Sequence, residues 1–191
     1  MRRFLLALSV GFSVAVFAPS AWAGLLGSSI VLRYDYLVPG YSYDTLSVGA
    51  GVEVTCTGGG TGNANVCSAL TAANQYIDIG DTSIAYSYVG TNPGGFNNVH
   101  PNGMTFQDLD PAGTILGVTL TTDIFGLDMT RVTFTDNSVS IDLGGLALGT
   151  SASFTLDLQT IPEPTALLPI VAAIGALGWT RRRYARYAAA P

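Results

Sequence analysis

Residues 132–143 read VTFTDNSVSIDL, and apolar side chains alternate with polar ones on both sides of a turn sequence. Val132 and Phe134 precede the turn Asp136-Asn137-Ser138, and the alternation resumes at Val139. Two alternating runs separated by a short polar turn are typical of a β-hairpin, in which every second side chain faces the core. The stretch therefore predicts two antiparallel strands.

The same period of two recurs through the middle of the chain. Further alternating runs cover residues 30–36, 46–56 with a kink or bulge at Gly49-Ala50-Gly51, 84–89, 104–106, 116–120 and 154–158. Only residues 68–75 resemble a short helical turn. About seven to ten short strands without helices predict an all-β fold, an antiparallel β-sandwich of jelly-roll-like type, and a single closed barrel is the alternative packing.

The charge of residues 24–160 excludes one class of partner. Arg33 and Arg131 are the only basic residues of this segment besides the single histidine, and twelve acidic residues oppose them, so the formal net charge is 2 − 12 = −10. No basic surface is available to neutralise phosphates, so we expect no nucleic-acid partner.

The N-terminus has the features of a secretory signal peptide over residues 1–23. Arg2-Arg3 precedes an apolar stretch, and Ala21-Trp22-Ala23 precedes Gly24, which predicts cleavage between Ala23 and Gly24. The secretion translocon is then a partner, and general secretion fits better than twin-arginine export. An uncleaved membrane anchor is the alternative.

The C-terminus combines three features in a fixed order. Pro162-Glu163-Pro164 is followed by an apolar run over 165–179 and then by Arg181, Arg182 and Arg183. The run predicts a transmembrane helix, with the arginines as a stop-transfer signal, since each costs about 2.5–3.5 kcal/mol at a bilayer centre. A buried core helix is the alternative. Basic residues at both ends predict that residues 24–160 lie outside the cytoplasm.

Residues 161–187 resemble the PEP-CTERM sorting signal of Gram-negative bacteria. The resemblance implies that an exosortase recognises Pro162-Glu163-Pro164 and cleaves nearby. It also implies export across the inner membrane, a transient membrane anchor, and then a cell-surface or extracellular location, with extracellular polysaccharide as a candidate partner. The strand-like stretches 106–110, 115–118, 132–134, 140–143 and 154–158 also resemble exported domains that carry this tail. A permanent anchor after a proline-rich linker is the alternative.

Cys56 and Cys67 flank a glycine-rich stretch and are the only cysteines of the chain. In an oxidising compartment, two such cysteines predict a disulfide that closes a short loop. A zinc site is the alternative, but His100 is the only histidine.

Motifs for catalysis are weak in this sequence. No Gly-x-Ser-x-Gly motif is present, and His100 lies in a turn-rich stretch, so we expect no enzyme activity and no cofactor. Asp108 and Asp110 are expected to share one strand face and are candidate calcium ligands, as are Asp78 and Asp81 beside a turn. Solvated surface acids are the alternative.

Tyrosines at spacings of two suggest a different kind of site. The pairs are Tyr34 and Tyr36, Tyr41 and Tyr43, and Tyr86 and Tyr88. Side chains two apart share a strand face, where tyrosines can stack on sugar rings or pack in the core.

From the terminal signals and the weak catalytic motifs, we expect a non-enzymatic, exported cell-surface or extracellular matrix protein. A carbohydrate- or calcium-binding module is the second hypothesis, and an extracellular hydrolase is the third.

Overall fold

The structure is a computed structural model and describes residues 24–37, 40–98 and 101–161. These residues form thirteen strands. The strands are β1 (Ser29–Leu37), β2 (Gly40–Ser47), β3 (Val54–Gly58), β4 (Thr61–Gly62), β5 (Gln75–Ile79), β6 (Ser83–Val89), β7 (Gly94–Gly95), β8 (Gly103–Gln107), β9 (Thr114–Thr122), β10 (Val132–Phe134), β11 (Val139–Asp142), β12 (Ala147–Leu148) and β13 (Ser151–Ile161).

Two antiparallel sheets account for most of these strands. The first sheet has the order β10-β11-β8-β1-β2, and the second has the order β4-β3-β5-β6-β13-β9. β12 and β7 form a separate two-stranded ribbon. Within the described ranges, the helical structure consists of three 3-10 turns at Asn65–Ser68, Asp110–Ala112 and Met129–Arg131.

Alternating burial makes this pair of sheets a β-sandwich. Ile30 and Leu32 of β1 and Phe106 of β8 are fully buried in the first sheet, as are Phe154 and Leu156 of β13 in the second. Every second side chain of these strands therefore enters one core between the sheets. The predicted all-β sandwich is confirmed. Four connections are hairpins between strands that are consecutive in the chain and adjacent in a sheet. A jelly roll is instead connected by two Greek keys, so the connectivity differs from a simple jelly roll.

The predicted hairpin at residues 132–143 is present. Val132 pairs with Ile141 and Phe134 pairs with Val139, and the Thr135 N–H donates to the Ser138 carbonyl at 2.9 Å across the turn. The alternating run at residues 154–158 forms part of β13, which lies in the opposite sheet between β6 and β9. After the hairpin, the chain therefore passes from the first sheet to the second.

One predicted strand is wrong. The pattern over residues 46–56 was expected to form one kinked strand, but β2 ends at Ser47, and β3 begins at Val54 in the other sheet. Gly49 and Gly51 lie in the connection between the sheets, where the Glu53 carboxylate accepts a hydrogen bond from the Gly49 N–H at 2.8 Å. The glycines mark a loop instead of a bulge.

Two smaller predictions are also corrected. Leu116 was expected on the core face of its strand, but it is exposed and Ile115 is buried instead. The register between β9 and β13 shifts between Gln159 and Thr160, so one extra residue of β9 turns outward. The helical turn expected at residues 68–75 lies earlier, at Asn65–Ser68, and is a 3-10 turn.

The first and last segments of the described domain form backbone hydrogen bonds with two consecutive residues. The Leu25 N–H donates to the Asp81 carbonyl at 2.8 Å, and the Leu158 N–H donates to the Thr82 carbonyl at 2.8 Å. Because Asp81 and Thr82 are consecutive, the first and last segments of the domain lie at the same end of the sandwich.

Candidate functional site

The six paired tyrosines separate into a buried group and an exposed group. Tyr34, Tyr86 and Tyr88 are buried in the core, and Tyr36 is half-buried and packs against it. Tyr41 and Tyr43 of β2 are 57% and 60% exposed. Both explanations of the two-residue spacing therefore apply. Some of the tyrosines pack in the core, and Tyr41 and Tyr43 form an exposed aromatic surface.

Tyr41 and Tyr43 face outward because β2 places its even-numbered side chains inward. Asp44 and Leu46 of this strand are buried, so the odd-numbered residues face solvent. The Tyr41 and Tyr43 ring centroids are 6.3 Å apart with an interplanar angle of 29°, which is a stacked arrangement. The two rings form one aromatic platform on the outer surface of the first sheet.

Arg33 and Asp35 of β1 lie directly beside this platform. In the sheet register Arg33 pairs with Tyr43, and Asp35 pairs with Tyr41. Arg33 Nε and Nη2 donate to Asp35 Oδ1 at 3.0 and 2.6 Å. The Arg33 guanidinium carbon is also 5.0 Å from the Tyr41 ring centroid, within the range of a cation–π contact.

Polar residues continue from β1 across the rest of the first sheet. Thr105 of β8 pairs with Arg33 on one side and with Ser140 of β11 on the other, and the two hydroxyl oxygens are 2.9 Å apart. Thr133 of β10 then pairs with Ser140. These residues form one row of outward-facing side chains over all five strands.

A second row runs beside the first and contains a glycine at its centre. Gly103 of β8 pairs with Asp35 and with Asp142. A Cβ atom at position 103 would overlap the Ile141 carbonyl oxygen, so only glycine allows this close pairing. Gly103 therefore allows the backbones of β8 and β11 to approach closely between the two aspartates.

Arg131 lies at the far end of these rows. Arg131 Nη1 donates to the Gly144 carbonyl at 3.0 Å and is 3.7 Å from Asp142 Oδ2. A groove of about 530 Å³ lies here, and Asp35, Thr105 and Asp142 contribute to its lining together with Arg131. The platform therefore continues into a groove whose lining combines apolar surface with charged and hydroxyl side chains.

We call these two rows together the outer stripe. Its members are Tyr41, Tyr43, Arg33, Asp35, Gly103, Thr105, Ser140, Asp142, Thr133 and Arg131. Both arginines of residues 24–160 belong to it. The outer stripe thus concentrates the cations of an acidic domain on one sheet surface and sets each beside an aspartate.

Cys56 and Cys67 form the predicted disulfide. The Cα atoms are 5.2 Å apart, and both residues are fully buried. Gly58, Gly59 and Gly60 of the intervening loop all have positive φ angles, which explains why this turn is built from glycine. Because both sulfur atoms take part in this disulfide, they are not free thiolates that could bind zinc.

The acidic residues that were candidate calcium ligands occupy loops and an exposed strand position. β8 ends at Gln107, so Asp108 and Asp110 do not share a strand face, contrary to expectation, and Asp108 has a φ of 62°. Asp78 lies on β5, and Asp81 accepts a 3.4 Å hydrogen bond from the Leu26 N–H. Across residues 24–37, 40–98 and 101–161, no group of three His, Cys, Asp or Glu side chains could hold a metal ion.

Several predicted sites lie outside the described residues. They are Ala21 and Ala23 at the signal cleavage site, His100, Pro162, Glu163 and Pro164, and Arg181, Arg182 and Arg183. Gly24 is described and precedes the Leu25 contact with Asp81. No helix within the described ranges is long and apolar enough to span a membrane.

The fold and the covalent link define this part of the chain as a disulfide-bonded antiparallel β-sandwich. No family model, curated protein or solved structure matches the chain.

The sequence pattern identified the tyrosines but missed the rest of the outer stripe. Arg33, Asp35, Thr105, Ser140 and Arg131 come from four different parts of the chain and meet only through strand pairing. One signal was available: Arg33 and Arg131 are the only arginines of an acidic segment. Each of these two arginines forms an ion pair with an aspartate of the outer stripe.

Proposed function

We propose that this protein is exported, held transiently by its C-terminal segment, and processed at Pro162-Glu163-Pro164 by an exosortase. The mature β-sandwich is then a cell-surface or extracellular matrix protein without catalytic activity of its own. The PEP-CTERM signal over residues 161–187 and the signal peptide over residues 1–23 are the parts of the chain that direct this route.

The Cys56–Cys67 disulfide is the observation that carries the export proposal. Both sulfurs are buried in the core, so the bond forms part of the folded domain. Structural disulfides persist in oxidising compartments such as the periplasm and the extracellular space and are rare in the cytosol. A domain built around one is suited to export.

The position of the domain ends is consistent with the same route. Leu25 and Leu158 contact the consecutive residues Asp81 and Thr82, so the segment after the predicted signal cleavage site and the strand before Pro162 lie together. A domain with both ends on one side of the sandwich is compatible with a tether at either end.

Mass spectrometry of the mature termini tests this proposal. The chain is expressed in a Gram-negative host that carries an exosortase, and we expect an N-terminus at Gly24 and a new C-terminus close to Pro162-Glu163-Pro164. Replacing Pro162 and Pro164 together by Ala should leave the tail attached and the protein in the membrane fraction. Pro93→Ala, at an exposed proline of the β-sandwich, is the matched control and should be processed normally.

Two results would refute the proposal. One is full-length material in the cytosol with Met1 and Pro191 both retained. The other is Cys56 and Cys67 labelled by a thiol reagent in freshly isolated cells without prior reduction.

A further inference from the structure

We propose that the outer stripe is a binding site for a neutral glycan chain, with one sugar ring stacked on the Tyr41–Tyr43 platform. The chain would cross β2, β1, β8, β11 and β10 in that order. This site is a property of the folded β-sandwich and does not rest on the proposed export and processing.

The platform supplies the apolar part of the site. Tyr41 and Tyr43 are each more than half exposed, and their stacked rings form one continuous aromatic cluster at the surface. A pyranose ring is apolar on its C–H faces and polar at its rim, so it can cover an aromatic face while its hydroxyls stay hydrogen-bonded. The tyrosine hydroxyls add a donor and an acceptor at the rim.

The Arg33–Asp35 pair supplies directional hydrogen bonds beside the platform. Both Arg33 contacts go to Asp35 Oδ1, and the Arg33 side chain is 46% exposed. A guanidinium offers five donors in a fixed plane, so most remain available for sugar oxygens. The Asp35 carboxylate, held in place by Arg33, accepts from sugar hydroxyls.

The middle of the outer stripe carries hydroxyl groups in place of charges. Thr105 and Ser140 each have a hydroxyl that can donate and accept, and their 2.9 Å contact fixes their spacing. Gly103 carries no side chain and lines the adjacent groove together with Thr105 and Ser140. A polyhydroxyl ligand matches this mixture of donors and acceptors.

The charge of the outer stripe favours a neutral ligand over an anionic one. Its ionic side chains are Arg33 with Asp35 and Arg131 with Asp142, so their formal charges cancel. The other ten acidic residues of residues 24–160 have no further arginine to balance them. Polyanions are therefore repelled by the domain as a whole, while an uncharged polymer is not.

The length of the outer stripe fits several sugar rings. Five strands are separated by four spacings of about 4.8 Å, which gives a width of about 19 Å. The groove of about 530 Å³ at the Arg131 end extends the contact beyond the platform. Binding along a chain, and not only at a chain end, follows from this open geometry.

Affinity gel electrophoresis of the full-length chain in detergent tests the site. The gels contain hydroxyethyl cellulose, galactomannan or dextran as neutral polymers, and alginate as the anionic polymer. We expect retardation by at least one neutral polymer and none by alginate. Calorimetry with the retarding polymer should show that replacing Tyr41 and Tyr43 together by Ala lowers affinity about tenfold or more, as expected for truncated aromatic anchors.

Tyr76→Ala is the matched control. Tyr76 is a half-buried tyrosine on the outward face of β5 in the second sheet, away from the outer stripe. Its replacement should leave polymer binding unchanged. Thermal unfolding of each variant, monitored by circular dichroism, establishes that the proteins compared are folded.

The proposal is overturned if no neutral polymer of the panel retards the protein, if alginate alone does so, or if the Tyr41 and Tyr43 variant binds as well as the wild type. It is also overturned if light scattering shows a dimer that the tyrosine variant abolishes, since the outer stripe would then join two copies. None of these results bears on the mature termini, which test export separately.

Discussion

The guanidinium of Arg33 on β1 lies over the ring of Tyr41 on β2, with 5.0 Å between the guanidinium carbon and the ring centroid. The contact is diagonal, because the register partner of Arg33 is Tyr43. One arginine thus contacts the aromatic platform and, through two hydrogen bonds, Asp35. This arrangement joins the apolar and polar halves of the outer stripe.

Replacing Arg33 by Gln should affect binding far more than folding. The side chain is 46% exposed, and exposed cation–π contacts and ion pairs each contribute about 1 kcal/mol or less to stability. We expect the free energy of unfolding in urea to fall by no more than about 2 kcal/mol. Arg33→Lys, which keeps the charge without the planar group, is the control. A loss above about 3 kcal/mol would mean that Arg33 is needed for the fold.

Removal of the Cys56–Cys67 disulfide should destabilise the sandwich strongly. Eleven positions separate the two cysteines, and closing such a loop contributes about 3 kcal/mol in the chain-entropy model. We expect the double variant Cys56→Ala and Cys67→Ala to lose about 3 kcal/mol, measured by guanidinium denaturation. Wild-type protein that is reduced and alkylated should show a loss of at least similar size. Equal stability with and without the bond would contradict this assignment.

Asp44, the only acidic residue of β2, should be needed for stability. It is largely buried, and its two carboxylate oxygens accept hydrogen bonds from the Asn65 and Val66 N–H groups at 2.7 and 2.8 Å. These bonds hold the 3-10 turn that contains Cys67. Asp44→Ala leaves two N–H groups unpaired, so we expect a loss of about 2–4 kcal/mol in urea unfolding.

Asp44→Asn is the matched variant for this prediction. It keeps one side-chain oxygen as an acceptor, so it should lose less stability than the Ala variant. A neutral effect of both substitutions would show that the turn is held by other contacts.

Local alternation in the sequence predicted the type and position of most strands. The hairpin at residues 132–143 and the buried face of residues 84–89 follow directly from it, since one face of each strand must enter the core. The break between Ser47 and Val54 was misread because Val52 and Val54 continue the parity of Leu46 and Val48. Only pairing in a different sheet distinguishes a loop from a bulge there.

The site was less predictable than the fold, for a reason visible in the tyrosines. Tyr34 and Tyr41 both belong to alternating pairs, yet one ring is buried and the other exposed. Which face of β1 or β2 enters the core depends on its partners in the other sheet, and local sequence does not contain that information. The pairing of Arg33 with Thr105, seventy-two positions apart in the chain, depends on the same long-range register.

Two buried tyrosines make stability sensitive to alkaline pH. Burial raises the pKa of Tyr34 well above its ordinary value of 10, and burial, together with the nearby Tyr34 and Tyr88, does the same for Tyr86. Tyr34 donates to Asn102 Oδ1 at 2.8 Å, and Tyr86 donates to Gln75 Oε1 at 2.7 Å. Both hydroxyls therefore keep their protons in the folded protein after the unfolded chain has released them.

The sign of the effect follows from this difference in pKa. Below about pH 10 both states hold the two protons, so the contribution of these residues to stability is complete. Above about pH 10 the unfolded chain loses its protons first, and stability falls by about 1.4 kcal/mol per pH unit for each tyrosine. The free energy of unfolding, measured in urea after short pH jumps between 9 and 11.5, should therefore fall with increasing slope.

Phenylalanine variants distinguish the two tyrosines from other causes of alkaline unfolding. Tyr34→Phe leaves the Asn102 oxygen without its donor and should cost about 1–3 kcal/mol at pH 7. Above pH 10, however, its stability should fall less steeply than that of the wild type, because one proton no longer differs between the folded and unfolded states. The double variant with Tyr86→Phe should be flatter still. Identical alkaline slopes in all three proteins would assign the loss to other groups and remove Tyr34 and Tyr86 from this role.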